Sequence, residues 1–245
     1  MMYRFLLRPK WIAFHLLCLL GVVLMVNLSM WQLGRLGDRR EFNSEVRERS
    51  SLETVNISEL DLSDPPAVQW RSAGAIGTYD PSEQVLILNR SQNGVAGLNV
   101  VTPLILDDGR AILVNRGFIA LSATPPSAPL GIVRVLGTVQ ISDQRTSGQA
   151  TQASGEQREF FRLDIVRLEE QIDYELLPVA LVAKASEPSE GPTIAPINPP
   201  ELSQGPHMSY AIQWLIFSIA VIVGWVLAIR KSLASRALTP QSGLT

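Results

Sequence analysis

Two long stretches of the chain show no polar alternation at all. Residues 11–30 read WIAFHLLCLLGVVLMVNLSM and residues 210–229 read YAIQWLIFSIAVIVGWVLAI, both without a formal charge. An apolar run of about 20 residues makes roughly 30 Å of helix, the thickness of a bilayer core. One membrane span is predicted over each. The first run continues into WQLGRL with no small-residue cleavage site, which argues against a removable signal peptide. From Arg35 to Leu52 the chain is charged, with apolar Leu36, Phe42 and Val46 at helical spacing, so the first helix is expected to continue beyond the membrane surface.

Between the runs the period changes to that of strands. Residues 68–79 (VQWRSAGAIGTY) alternate between glycines, and 83–90 (EQVLILNR) and 98–106 (LNVVTPLIL) follow. The turn DDGR at 107–110 leads into AILVNRGFIA, so 98–120 is expected as a β-hairpin. In its second strand Val114, Arg116 and Phe118 alternate onto one face, an awkward position for a charge unless it is paired. VRVLGTVQI (133–141) and LPVALVAKA (177–185) add two strands, and LDIVRLEEQI (163–172) suits a short helix capped by Asp164. Residues 142–158 are polar and are expected as an exposed loop. Residues 187–206 carry six of the 16 prolines and form an extended approach to the second span.

The predicted fold class is therefore a membrane protein: two transmembrane α-helices flank an extracytoplasmic α+β domain, mainly antiparallel β, as a curved sheet or small barrel. The expected divisions are 1–10, a cytoplasmic N-terminus; 11–31, the first span; 32–206, the outer domain; 207–229, the second span; and 230–245, a cytoplasmic tail.

Charge supplies the orientation. All 23 acidic residues lie between the two runs, whereas Arg4, Arg8 and Lys10 precede the first and Arg230, Lys231 and Arg236 follow the second. The intervening segment keeps 15 of the 21 basic residues, a net of −8. Basic flanks stay cytoplasmic, so both termini are expected inside a bacterial plasma membrane and about 175 residues outside. Arg35, Arg39 and Arg40 offset this rule locally. An acidic, translocated domain is a poor partner for nucleic acid. The lone Cys18 lies within the first run, which leaves the outer domain without disulfide or thiol chemistry.

Catalytic signatures are missing. There is no CxxC, no phosphate-cradling glycine loop and no GxSxG elbow, and His207 is the one histidine within reach of the outer domain. No enzyme is expected. The ends of the spans carry more chemistry. Asn27, Trp31 and Arg35 recur every four residues with Gln32 beside them. His207, Tyr210, Trp214 and Ser218 fall within one stripe of about 80° at 100° per residue. Packed side by side, the two helices would line a cleft that is apolar below and polar above. The bland alternatives stand beside this reading: tryptophans at a membrane interface form ordinary aromatic belts, Arg35 can snorkel to phosphates, and His207 and His15 can be interfacial residues without a ligand.

Taken together, WQLGRL, GTYDP (77–81), LILNR (86–90), GLNVVTPL (97–104), LVNRGFI (113–119), NPP (198–200) and HMSYAIQW (207–214), in this order, resemble the surfeit locus protein 1 family of cytochrome c oxidase assembly factors. The resemblance runs from about residue 10 to 230. It implies non-enzymatic help in building the haem a-containing subunit I of a haem–copper oxidase, with haem a bound transiently. The motif that here reads His207, Tyr210, Gln213 and Trp214 would supply His207 to the haem iron. Trp31, Gln32 and Arg35 fall in the WQxxR signature and Arg116 in the NRG signature. Implied partners are oxidase subunit I, other oxidase or supercomplex subunits, the haem a synthesis machinery and the lipid membrane. A permanent accessory subunit of a respiratory oxidase, without cofactor, is the alternative.

Overall fold

The computed structural model describes residues 4–143 and 155–237. Most of the expected polar loop, 144–154, and the end of the tail lie outside these residues. The chain divides into two compact units, Met1–Ser44 with Leu202–Thr245, and Glu45–Glu201.

The first unit holds α4 (His207–Ala237) and all but the last turns of α1 (Pro9–Ser51), and each helix is long and apolar enough to cross a membrane. As expected, α1 continues unbroken through the charged residues after the first apolar run. From His207 to Trp225 the half-buried and buried positions of α4 are His207, Ala211, Trp214, Ser218, Val221 and Trp225, at spacings of three and four. On α1 the matching stripe runs through Cys18, Gly21, Met25, Ser29, Gln32 and Leu36. That spacing is the one by which two helices meet along a narrow seam. The helices are antiparallel and joined by hydrogen bonds: Ser29 Oγ donates to the Ala211 carbonyl at 2.9 Å, and Trp225 Nε1 donates to His15 Nδ1 at 2.7 Å.

In the second unit, β1 (Val55–Asn56) and the short helix α2 (Pro65–Val68) lead into β2 (Ser72–Tyr79), β3 (Val85–Gln92), β4 (Val95–Ile105), β5 (Ala111–Ala120), β6 (Ile132–Ile141), β7 (Glu159–Phe160), α3 (Ile165–Glu169) and β8 (Leu176–Glu187). Asp164 caps α3 by accepting from the Arg167 amide, as the sequence predicts. The expected 98–120 hairpin is β4–β5, turning at Gly109.

Five strands close on themselves. β2 pairs with β6, β6 with β8, β8 with β5, β5 with β4, and β4 returns to β2 through Thr78↔Ile105 and Tyr79↔Leu104. Only β5–β8 among these pairs is parallel. Numbered along the chain, the ring runs 1-2-3-5-4-1, the connectivity of an OB-type barrel. Its interior holds Ala75, Leu104, Ile112, Val114, Val135, Val139, Val179 and Leu181, drawn from all five strands. Each of the Val, Leu and Ile side chains among them, once buried, contributes roughly 1.5–3 kcal/mol.

A second core lies outside the ring. β3 extends β4 and β7 extends β3, while Phe160, Leu163, Ile165 and Leu168 cover Val101, Leu113 and Ala180. Barrels of this type take their ligands on the outer face of the second and third strands. Here the chain's own α3 segment fills the face of β4 and β5, and β5 is buried on both sides.

One irregularity re-aims a charged residue. Val100 pairs with Gly117 and Val101 with Asn115, which leaves Arg116 as the extra residue of a β-bulge. Such a bulge breaks the alternation of the strand and re-aims a side chain. Phe118, which alternation assigns to the face of Val114, accordingly lies outside the cluster that holds Val114, and its backbone pairs with Ala195 instead.

Candidate functional site

The mouth of α4 is built by polar side chains of α1. Asn43, almost fully buried, donates from Nδ2 to the carbonyls of Leu202 and Ser203 at 2.9 and 3.3 Å. Arg39 Nε donates to the Ser203 carbonyl at 3.1 Å, and Arg40 Nε to Gln204 Oε1 at 3.2 Å. The backbone of 202–204 is thereby laid along α1. Gly205 then turns the chain with φ of +65°, a conformation glycine adopts at little cost, and α4 starts two residues later. The Tyr210 amide closes its first turn on the Pro206 carbonyl at 3.1 Å.

These supports fix the half-buried His207 ring. Nδ1 meets Gln32 Oε1 at 2.9 Å. A Cβ on Gly205 would stand 3.3 Å from both His207 Cδ2 and Nε2, so any side chain at 205 would crowd that edge of the ring.

Of the sequence-derived candidates, the structure brings Gln32 and His207 into contact, with Trp214 half-buried two turns further along the seam. It does not bring the others into that contact. Trp31 is 58% and Tyr210 47% exposed, on the outward flanks of their helices. Arg35 is also exposed and meets Asp38 at 3.3 Å. Four-residue spacing shows which residues share a helix face but not which face meets the partner, and the seam runs through Ser29, Gln32 and Leu36. The supports of the site, Asn43 and Gly205, escape sequence reasoning. Their only signals are a lone amide in a charged helix and a glycine directly before Pro206.

His15 has a partner that spacing along one helix does not reveal. Its Nδ1 accepts from Trp225, and the ring lies among Trp11, Phe14 and Trp225 at centroid distances of 5.6–6.0 Å. Phe5 packs edge-on to Trp11 and carries the Arg236 guanidinium 4.2 Å over its ring. This end of the helix pair is an aromatic knot.

Arg116 is a separate buried centre. Its side chain, 1% exposed, makes a two-pronged ion pair with Glu190, Nε at 2.9 Å and Nη2 at 2.6 Å. Nη1 reaches Gln84 Oε1 at 2.8 Å and the Pro126 carbonyl at 3.2 Å, and Nη2 the Ser127 carbonyl at 3.1 Å. The guanidinium lies 5.5 Å over the ring of Tyr79, whose phenol burial and then the Glu190 charge push well above its ordinary pKa. The charge that alternation made awkward is thus paired inside the unit. A cavity of about 240 Å³ beside it is lined by Lys184, Ser186, Ser189, Glu190 and Ile194. Among the described residues no three of His, Cys, Asp and Glu gather as a metal site.

Two apolar helices, each long enough to span a membrane, flank a closed β-barrel whose ligand face is filled by its own chain. This is a membrane-associated protein whose polar chemistry collects at a helix mouth and at one buried ion pair. The SURF1 family pattern matches residues 19–219, and the chain belongs to that family. It is 28% identical to a SURF1-like protein of Mycobacterium tuberculosis over 229 residues, 90% of this chain and 83% of the relative. Over 227 residues it is 25% identical to a SURF1-like protein of Monosiga brevicollis, 85% of each chain. A SURF1-like protein of Rickettsia felis is 21% identical over 224 residues, 87% of this chain and 95% of the relative.

Proposed function

We propose that this protein is a non-enzymatic assembly factor for a haem–copper cytochrome c oxidase, one that carries haem a toward subunit I across the outer face of a bacterial plasma membrane. Family membership supports the assembly role. The observation that carries the haem reading is the His207 ring, with one nitrogen engaged by Gln32 and the other facing the side-chain-free Gly205. An imidazole with one free nitrogen is suited to haem iron. The exposed Trp31 and Tyr210, with Trp214, offer aromatic surface to the macrocycle and its apolar tail. Arg35 can exchange its exposed Asp38 partner, a pair worth at most about 1 kcal/mol, for a haem propionate. Haem a is cargo in this reading, so ligation by a single side chain favours release.

The test is an absorption spectrum of the detergent-purified protein, expressed with and without haem a synthesis. The wild type should acquire haem, His207→Ala should lose most of it while remaining inserted in the membrane, and His15→Ala should keep it. A full haem spectrum in the His207→Ala protein, or none in the wild type, would refute the carrier reading and leave the assembly role alone. The amount of this chain in purified oxidase checks the role itself: a carrier is substoichiometric, a permanent subunit is not.

A further inference from the structure

We infer that Gln32 is a positioning residue: it holds His207 as the Nδ1–H tautomer, so that Nε2, which faces Gly205, carries the free lone pair. The inference rests on the haem-carrier reading for its purpose but not for its geometry. An amide oxygen only accepts, so in the 2.9 Å contact between His207 Nδ1 and Gln32 Oε1 the ring nitrogen must carry the proton. A neutral imidazole has one N–H, which leaves Nε2 unprotonated, the state a metal ligand requires. Free imidazole side chains in water favour the opposite tautomer, so Gln32 is working against the intrinsic preference.

The other histidine shows the reverse arrangement in the same helix pair. Trp225 Nε1 only donates, so at 2.7 Å His15 Nδ1 must accept, and His15 carries its proton on Nε2. The two rings are held in opposite tautomers by α1–α4 contacts. One is prepared to ligate and the other is committed to joining helices. Gln32 thus acts through His207 and need not touch the cargo, as outer partners of metal-binding histidines do. Substituting such a partner typically lowers metal affinity by about 10–100-fold.

Because the chain has only two histidines, ring-¹⁵N labelling of histidine in the full-length protein reads each site by solid-state NMR in lipid bilayers. The apo wild type should show one Nδ1–H ring and one Nε2–H ring. His207→Ala assigns the former. Gln32→Leu should move His207 to the Nε2–H form, and Gln32→Glu, which keeps an acceptor, should hold the Nδ1–H form. The His15 signal, dependent on Trp225, reports that the helix pair is intact in every variant. With haemin as probe, Gln32→Leu should bind about 10–100-fold more weakly and Gln32→Glu should recover most of the loss. An Nε2–H signal for His207 in the wild type, or an unchanged tautomer in Gln32→Leu, overturns the inference even if His207 binds haem. The expected tautomers in a protein that takes up no haem uphold the role of Gln32 and overturn the carrier reading alone.

Discussion

A guanidinium that is 1% exposed survives burial only if its donors are met, and Arg116 meets a carboxylate, an amide and two carbonyls. Removing it strands Glu190 at 13% exposure and leaves the Pro126 and Ser127 carbonyls without their donor. Arg116→Ala should therefore destabilise the barrel by about 3–5 kcal/mol, far above the effect of an exposed pair such as Arg35–Asp38. Thermal melting followed by β-sheet circular dichroism, with the steady-state protein level, reads the effect. An unchanged melt and unchanged level would mean that the ion pair is structurally idle. Tyr79 gives a second handle. Its phenol is held protonated beyond its ordinary value of 10.0, first by burial and then by Glu190. A folded-state pKa above the unfolded one gives stability that is complete below pH 10 and lost as pH rises from there toward the folded value. Tyr79→Phe should melt like the wild type at pH 7 and lose less stability between about pH 10 and 11. Equal alkaline losses in the two proteins would show that the phenol does not ionise on unfolding.

The elements differ in how openly the sequence announces them. Alternation exposes β4, β5, β6 and β8 within a few residues of their ends, and uniform apolarity exposes both long helices, because each signal is local. Closure is not local. Thr78 and Tyr79 meet Ile105 and Leu104 across an intervening hairpin, and nothing in either segment names the other. The polar loop is also more engaged than its composition implies: within its described ends, Asp143 accepts from the Leu163 amide, Ser142 from the Ile165 amide, and Gln157 pairs with Gln171. At the site, His207 is legible as a rare residue at a helix mouth, whereas its contact with Gln32 depends on which faces of α1 and α4 meet. The proline-rich segment shows the same limit. Composition makes it extended, but its attachment comes from the bulge. Ala195 bridges Phe118 in both directions at 2.8 Å, and Gln92 holds Pro196 and Asn198. Gly117, at φ +145°, permits this approach, since a Cβ there would stand 2.5 Å from the Ala195 carbonyl oxygen and from Ile194. Gly117→Ala should lift this segment from β5 and speed proteolytic cleavage within 187–200, with the barrel strands still protected from hydrogen exchange. Cleavage at the wild-type rate would show that the segment tolerates the added methyl group.

For the whole molecule, the proposed orientation rests on the distribution of charge along the chain. Three arginines just after the first apolar run would ordinarily pull that end toward the cytoplasm. Two of them have structural employment: Arg39 and Arg40 bind the 203–204 segment, while Arg35 faces Asp38. What Arg39 and Arg40 hold accounts for basic residues at this end of α1 whichever side of the membrane it faces. The flanks offer no such excuse for acids, because none of the 23 lies before the first run or after the second. The orientation we propose has both termini cytoplasmic and the barrel outside. Alkaline phosphatase, active only after export, should be active when fused after Gln149 and inactive when fused after Thr239, and a fluorescent reporter that matures only in the cytoplasm should give the opposite pattern. Substituting Arg4, Arg8 and Lys10 together by Gln should weaken this preference, because the arginines beyond the first run would then compete for retention. The reverse pattern in the unaltered chain would put His207, Gln32 and the barrel on the cytoplasmic side and withdraw the outer-face haem pathway.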